Sequence, residues 1–358
     1  MAALPLLKLF MAIDLFFVFF SSFTALFLLR KFAKTVGLVD KPNERKFHNG
    51  AIPLVGGLAI CITLAQFLYY NSEVLVHSEL YIFCICVLTF VGALDDKYDV
   101  SFKLRLVIQG SLSIAMIYYA GLELHTLGNM FGLGKLDLGP LGYLITVFAV
   151  IGAINAFNMV DGIDGLLGGL SIVTFGSLGL MLTIDGQPDL AYFCIIIIVA
   201  IIPYILLNLG AFGKKKKVFM GDAGSMLIGF TVIWMLLLAS QNGTRPPLRP
   251  VTALWFIAVP LMDMAAIMIR RVRRGDSPFK PDREHLHHIF QRLGFNSNQT
   301  LVAICSIAIL YSAVGILGEV YDVAEYIMFW GFIACFCIYA VLLSFVWRIT
   351  AFLRKKTS

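Results

Sequence analysis

The sequence predicts an all-α polytopic membrane protein, a single integral-membrane domain over residues 1–358 with about eleven transmembrane helices. Three observations predict it. Runs of about 20 apolar residues recur from one end of the chain to the other, the length a helix needs to cross the hydrocarbon core. Charged residues make up only 14% of the chain, against about 25% in soluble domains, and the mean hydropathy is +0.86. Finally, Lys and Arg are segregated: twenty-four of the 28 fall in alternate loops. A transmembrane β-barrel is excluded, because its strands alternate apolar and polar residues over about ten positions, whereas these runs are continuously apolar.

The predicted spans are 9–29, 51–70, 79–94, 104–120, 141–157, 166–184, 190–210, 224–240, 251–269, 299–317 and 325–347. The first is too long for the apolar part of a signal peptide, and Arg30, Lys31 and Lys34 follow it rather than precede it, so it is a retained span. After it comes Asp40-Lys-Pro-Asn-Glu-Arg-Lys-Phe-His48, and the third span ends on Asp95-Asp96 with Asp99 close by. Residues 121–140 alternate in Leu122-Glu-Leu-His-Thr-Leu and Lys135-Leu-Asp-Leu around a glycine-rich turn, the pattern of a small periplasmic β-hairpin. Spans five and six are joined by Asn155-Ala-Phe-Asn-Met-Val-Asp-Gly-Ile-Asp-Gly165, and Lys214–Lys217 follows span seven. Phe219-Met-Gly-Asp-Ala-Gly-Ser225 opens span eight. The loop after span nine, from Arg270 to Arg292, carries seven basic residues and His285, His287 and His288. The seven cysteines all lie in apolar runs and read as packed thiols.

The charge asymmetry orients the chain. Basic residues favour the cytoplasmic side, which places the C-terminus in the cytoplasm and the N-terminus in the periplasm. The net charge of +6 therefore follows membrane topology and calls for no nucleic acid. The three acidic clusters and the histidine loop then all land on the cytoplasmic face.

Carboxylates and amides are hard oxygen ligands, suited to Mg²⁺ or Mn²⁺. Asn158, Asp161 and Asp164 stand three apart, so at a helix end they would share one flank. One such loop alone reads equally well as a solvated turn. Three acidic clusters on one membrane face, however, repel each other unless cations hold them, and a divalent ion does so while leaving positions open to phosphate oxygens. Zinc would need Cys or His partners, of which the other cytoplasmic loops supply His48 alone. Neutral histidine donates to phosphate and the protonated ring adds charge. On a helix His285 and His288 would share a face while His287 turned away. An ion transporter would carry ionisable groups near the bilayer midplane on broken, repeated helices. Here only Asp14 and Asp263 lie away from span ends, with Glu79, Arg105 and Glu325 at span edges, and no repeat is visible. The residues thus predict a Mg²⁺-dependent enzyme at the inner face of a membrane, handling phosphate between water and lipid.

Asp95-Asp96, Asn158-x-x-Asp-Gly-x-Asp-Gly165, Phe219-Met-Gly-Asp-Ala-Gly-Ser225 and the His285–His288 loop resemble, in order and spacing, the motif set of the polyprenyl-phosphate N-acetylhexosamine-1-phosphate transferases. The Asp40–His48 and Ser277–His288 segments look most like the Gram-negative members that start O-antigen and enterobacterial common antigen assembly. The resemblance implies transfer of GlcNAc-1-phosphate from UDP-GlcNAc to undecaprenyl phosphate, releasing UMP at the cytoplasmic face of a bacterial inner membrane. Another UDP-amino sugar, as in the peptidoglycan lipid translocase, is the alternative. It implies that Asn158 and Asp222 hold Mg²⁺, with Mn²⁺ as a substitute, and that Asp95 and Asp96 position or deprotonate the lipid phosphate. Asp161 would orient the site, Asp164 would meet the nucleotide and Phe219 would stack on uracil. Arg283, His285, His287 and His288 would cover the diphosphate and sugar, with Asn208, Lys103 and Arg105 completing the substrate-binding set. Arg105 stands where some relatives carry Lys, and its planar fork binds phosphate differently. A homodimer is implied as well.

Overall fold

A computed structural model describes residues 3–40, 50–243, 246–278 and 284–357, with side chains described between residues 11 and 345. In chain order the helices are α1 (Ala3–Val36), α2 (Gly56–Tyr70), α3 (Ser78–Tyr98), α4 (Phe102–Ala120), α5 (Leu141–Val160), α6 (Leu166–Ile184) and α7 (Pro188–Asn208). They continue with α8 (Gly221–Gln241), α9 (Pro250–Phe256), α10 (Ala258–Arg273), α11 (Leu286–Arg292), α12 (Ser297–Val320) and α13 (Glu325–Thr357). The architecture is all-helical apart from a two-stranded ribbon of β1 (Val39–Asp40) and β2 (Ile52–Pro53). Long apolar runs take this form because a helix satisfies every backbone group internally, which lipid cannot do.

Each predicted span falls on a helix, but the helices differ in their fitness to cross a bilayer. Among the described residues, eight are long and apolar enough, or nine if α9 and α10 count as one broken span. The other two predicted spans are the short α2 and α4, whose first turn carries Lys103 and Arg105. The expected span 251–269 is bent by 82° between α9 and α10. Pro260 explains the break, since its ring would clash with the carbonyl of Phe256 in a continuous helix. The freed Phe256 carbonyl accepts instead from Thr174 Oγ1 on α6 at 3.0 Å.

Helix α8 is the axis of the bundle: all of its residues from Ala223 to Gln241 are buried. Small residues let its neighbours come close. A Cβ on Gly57 of α2 would lie 2.1 Å from the Gly224 nitrogen, and one on Gly92 of α3 would lie 2.4 Å from Ala223. Gly229 meets the backbone of Ile154 on α5 in the same way. The two ends of α8 differ. At its C-terminal end Gln241 Oε1 accepts from the His125 and Thr126 amides, and the two arms of the expected hairpin meet there in an antiparallel bridge of Thr126 with Asp137, joined by backbone bonds from Leu127 to Leu136, Leu136 to Gly128 and Leu138 to His125. At its N-terminal end the acidic clusters meet. All seven cysteines are free thiols: Cys61, Cys84 and Cys194 are packed as expected, whereas Cys86 and Cys337 are exposed on their helices.

Candidate active site

The N-terminus of α8 is capped from another helix. Asp96, near the end of α3, accepts from the Asp222 amide at 2.9 Å and the Ala223 amide at 3.3 Å. First-turn amides have no intrahelical partner, and a carboxylate there also meets the positive end of the helix dipole. Gly221 makes this approach fit: its φ is +73°, and a Cβ there would lie 2.4 Å from Asp96 Oδ2. The preceding residue, Asp95, is buried and paired with Arg105 of α4. Arg105 also reaches Asp222 Oδ2 at 3.5 Å. From α5, Asn158 donates to Asp222 Oδ1 and to Ser225 Oγ, both at 2.7 Å. One turn earlier, Asn155 donates to Gln109 Oε1 of α4 at 3.1 Å. Four helices thus bring Asp95, Asp96, Arg105, Asn158 and Asp222 together, and adjacent residues Asp95 and Asp96 serve different partners. Lys103 is exposed at the start of α4 and joins none of these pairs.

Beyond α5 the predicted shared flank does not form. The helix ends at Val160, Asp161 leaves it with φ −74° and ψ 64°, and Asp164 lies in the following turn. Burial pushes the Asp161 carboxyl up to about 7, helped by the charges of Asp222 and Asp164. Asp164 instead pairs with Lys217, whose ammonium also lies 5.2 Å from the centre of the Phe219 ring. Asn208, placed by resemblance among substrate-binding residues, is buried with its amide engaged at both ends. It accepts from the Gly165 amide at 2.6 Å and donates to the Val218 carbonyl at 2.8 Å, tying the acidic turn to the Phe219 segment. Phe219 is further fixed by backbone bonds to Pro53, Val55 and Gly56.

The histidine loop closes over the same turn. Helix α11 begins at Leu286, leaving His285 as its N-cap with φ −63° and ψ 157°, so the helical face expected for His285 and His288 is not made. His287, expected to turn away, packs against the acidic turn: a Cβ on Gly162 would lie 2.1 Å from its Nε2. The His287 ring lies 5.8 Å from that of His285 and 4.2 Å from that of His288. Burial, together with His288 and His285, drives His287 down to about 3, so this ring is neutral at physiological pH and adds no charge. Glu284 anchors the loop through Arg270 at 3.1 Å and Arg274 at 2.9 Å. Arg283 lies outside the described residues.

Sequence reasoning missed three supports of this site. Gln109 lay in no motif, and Ser225 closed the Phe219–Ser225 motif without a role of its own. Asp263 did, as a carboxylate inside a span, yet its partner His285 could be found only in three dimensions.

The donor set fits a hard divalent ion held partly by substrate. Among the described residues no three acidic, histidine or cysteine side chains converge as a metal cage. Mg²⁺ needs none: it usually takes one or two protein oxygens and completes its shell with water and phosphate. Asn158 and Asp222 are adjacent, and the Asp222 side chain is 37% exposed and open to such a ligand.

A model of glycosyl transferase family 4 matches residues 78–240, which include both Asp95-Asp96 and Asp222. Over nearly the whole chain, relatives bear the name undecaprenyl-phosphate alpha-N-acetylglucosaminyl 1-phosphate transferase. The one from Yersinia pestis is 51% identical, covering 96% of this chain and 94% of its own. That from Escherichia coli K12 is 51% identical over 96% and 93%, and that from Haemophilus influenzae 50% over 96% and 97%.

Proposed function

Because this chain belongs to glycosyl transferase family 4, the family of these membrane-bound sugar-1-phosphate transferases, we propose that it transfers GlcNAc-1-phosphate from UDP-GlcNAc to undecaprenyl phosphate. The products are undecaprenyl-diphospho-GlcNAc and UMP. The observation that carries the reading is the meeting of Asp95, Asp96, Arg105, Asn158 and Asp222 at one end of α8, all within the stretch that the family model matches.

In this reaction an oxygen of the lipid phosphate forms a bond to the sugar-bearing β-phosphorus. The bond from that phosphorus to the bridging oxygen breaks, and its electron pair leaves with UMP. One phosphoanhydride replaces another, so the step is close to isoenergetic. The attacking phosphate is already an anion near neutral pH and needs no strong base. This agrees with the positions of the carboxylate pair: Asp96 accepts from two backbone amides and Asp95 from Arg105, contacts that favour the charged form over uptake of a proton. We therefore read both as positioning groups. Asp96 holds the first turn of α8, and hence Asp222, in place, while Asp95 aims the Arg105 fork at the phosphates. Catalysis then rests on orientation and charge neutralisation.

Asn158 and Asp222 would hold Mg²⁺ or Mn²⁺, which when bound neutralises diphosphate charge. Lys217, beside Asp164 and over Phe219, would meet the nucleotide phosphate while the Phe219 ring stacks on uracil. The histidine loop, Arg283 included, would cover the sugar side and exclude water. The cytoplasmic location of the site is supported by the basic residues gathered in loops at the Asp222 end of α8, and an inner membrane by the lipid substrate. Entry of the product into O-antigen or common-antigen assembly, and a homodimeric state, rest on the family resemblance. The test is purified protein with undecaprenyl phosphate and one UDP-sugar at a time, following UMP. Release with UDP-GlcNAc and not with UDP-MurNAc-pentapeptide supports the assignment, and the reverse preference would move the chain to the peptidoglycan reaction.

A further inference from the structure

Asp263 lies on α10 with 1% of its surface exposed. A carboxylate sealed in a membrane bundle is costly unless every lone pair is used. Here Oδ2 lies 2.8 Å from His285 Nδ1, while Oδ1 accepts from the Leu286 amide at 3.1 Å and from the Tyr339 hydroxyl at 2.5 Å. The three partners come from different places: the N-cap of α11, its first residue, and the middle of α13. A residue that merely stitched helices would serve as well at any level of the bundle. This one grips the backbone and the ring at the start of the histidine helix, and two residues further on His287 meets Gly162 of the acidic turn.

We propose that Asp263 is a positioning residue for the transfer reaction, acting through His285 to set the ring's orientation and the register of the histidine turn over the acidic turn. With Nδ1–H committed to the carboxylate, Nε2 is the ring nitrogen turned to other partners. The Leu286 amide bond fixes the first turn of α11, so the carboxylate sets the ring and the helix start together. Tyr339, from α13, donates to the same Oδ1 that takes the Leu286 amide, so a third element holds the carboxylate.

The inference rests on the transferase reading, and a double-mutant cycle separates the two. Wild type, Asp263→Asn, His285→Ala and the double variant are purified full length and assayed for UMP release from UDP-GlcNAc with undecaprenyl phosphate. Asp263→Asn should lower kcat/KM by about 10- to 100-fold, the range for a lost charge-assisted hydrogen bond. In the His285→Ala background the same change should cost less than threefold, because its effect is already lost. Equal losses in both backgrounds would make Asp263 a general structural support and overturn the proposal. If Asp263→Asn does not fold, Asp263→Glu keeps the charge at the wrong length and is run through the same cycle with the same criteria. No UMP from wild type would instead remove the transferase reading, and this inference with it.

Discussion

Asn158 Nδ2 donates to Asp222 Oδ1 at 2.7 Å, joining the end of α5 to the start of α8 across 64 residues of sequence. Everything proposed for the metal depends on this pair. Asp222→Ala should lower turnover by about a hundredfold or more, the scale for removing a group that stabilises transition-state charge. Asp222→Asn keeps an oxygen without the charge and should recover part of its activity as Mg²⁺ is raised, while EDTA should silence the wild type. A Mg²⁺ titration of UMP release checks all three; full activity of Asp222→Ala at ordinary Mg²⁺ would remove this residue from the site.

Asp96 should behave as a cap rather than as a base. Asp96→Ala leaves the first amides of α8 without their acceptor and should cost about 1 kcal/mol, read as a lower melting temperature alongside lost turnover. Asp96→Asn retains an acceptor and should be milder in both. Thermal melts of the three proteins check this, and an Asp96→Ala protein as stable as wild type but inactive would return Asp96 to the chemistry.

The helices were legible because long apolar runs have one solution in lipid, and the meeting of the acidic motifs at one end of the bundle because they sit at span ends in alternate loops. Which carboxylate does what was not legible. Asp95 and Asp96 are neighbours in sequence, and only the approach of Gly221 and Arg105 separates a helix cap from an ion pair. The break at Ile257 was written in Pro260, but a run that is apolar on both sides hides a bend. The histidines were misplaced for a similar reason. The helix begins after His285 because the Asp263 carboxylate takes the Leu286 amide, and nothing local in the sequence announces that bond.

Gly162 gives the histidine loop its seat. Gly162→Ala would drive a methyl into the His287 ring, so the loop must lift from the acidic turn. The expected result is a raised KM for UDP-GlcNAc with a small change in melting temperature. Adding His287→Ala should relieve the clash without restoring full affinity. Initial-rate measurements on the single and double variants check this, and an unchanged KM in Gly162→Ala would mean the contact is incidental.

Asp161 predicts a pH dependence. Its folded value of about 7 lies above the ordinary 3.8, so the folded state holds the proton more tightly than the unfolded chain. Its contribution to stability is therefore full below about pH 4 and lost as pH rises through about 7. Metal-free wild type should lose more stability between pH 5 and pH 8 than Asp161→Asn, which has no proton to release. Melts at the two pH values decide it, and parallel losses in the two proteins would contradict the assignment.

The most direct test of the central claim follows one phosphorus atom. UDP-GlcNAc labelled with ³²P at the β-position is incubated with purified protein, Mg²⁺ and undecaprenyl phosphate, and the lipid and nucleotide fractions are separated. Transfer of the sugar with its phosphate carries the label into the lipid and releases unlabelled UMP in equal amount. Label retained in UDP, with sugar alone appearing on the lipid, would contradict attack at the β-phosphorus and the site built around it.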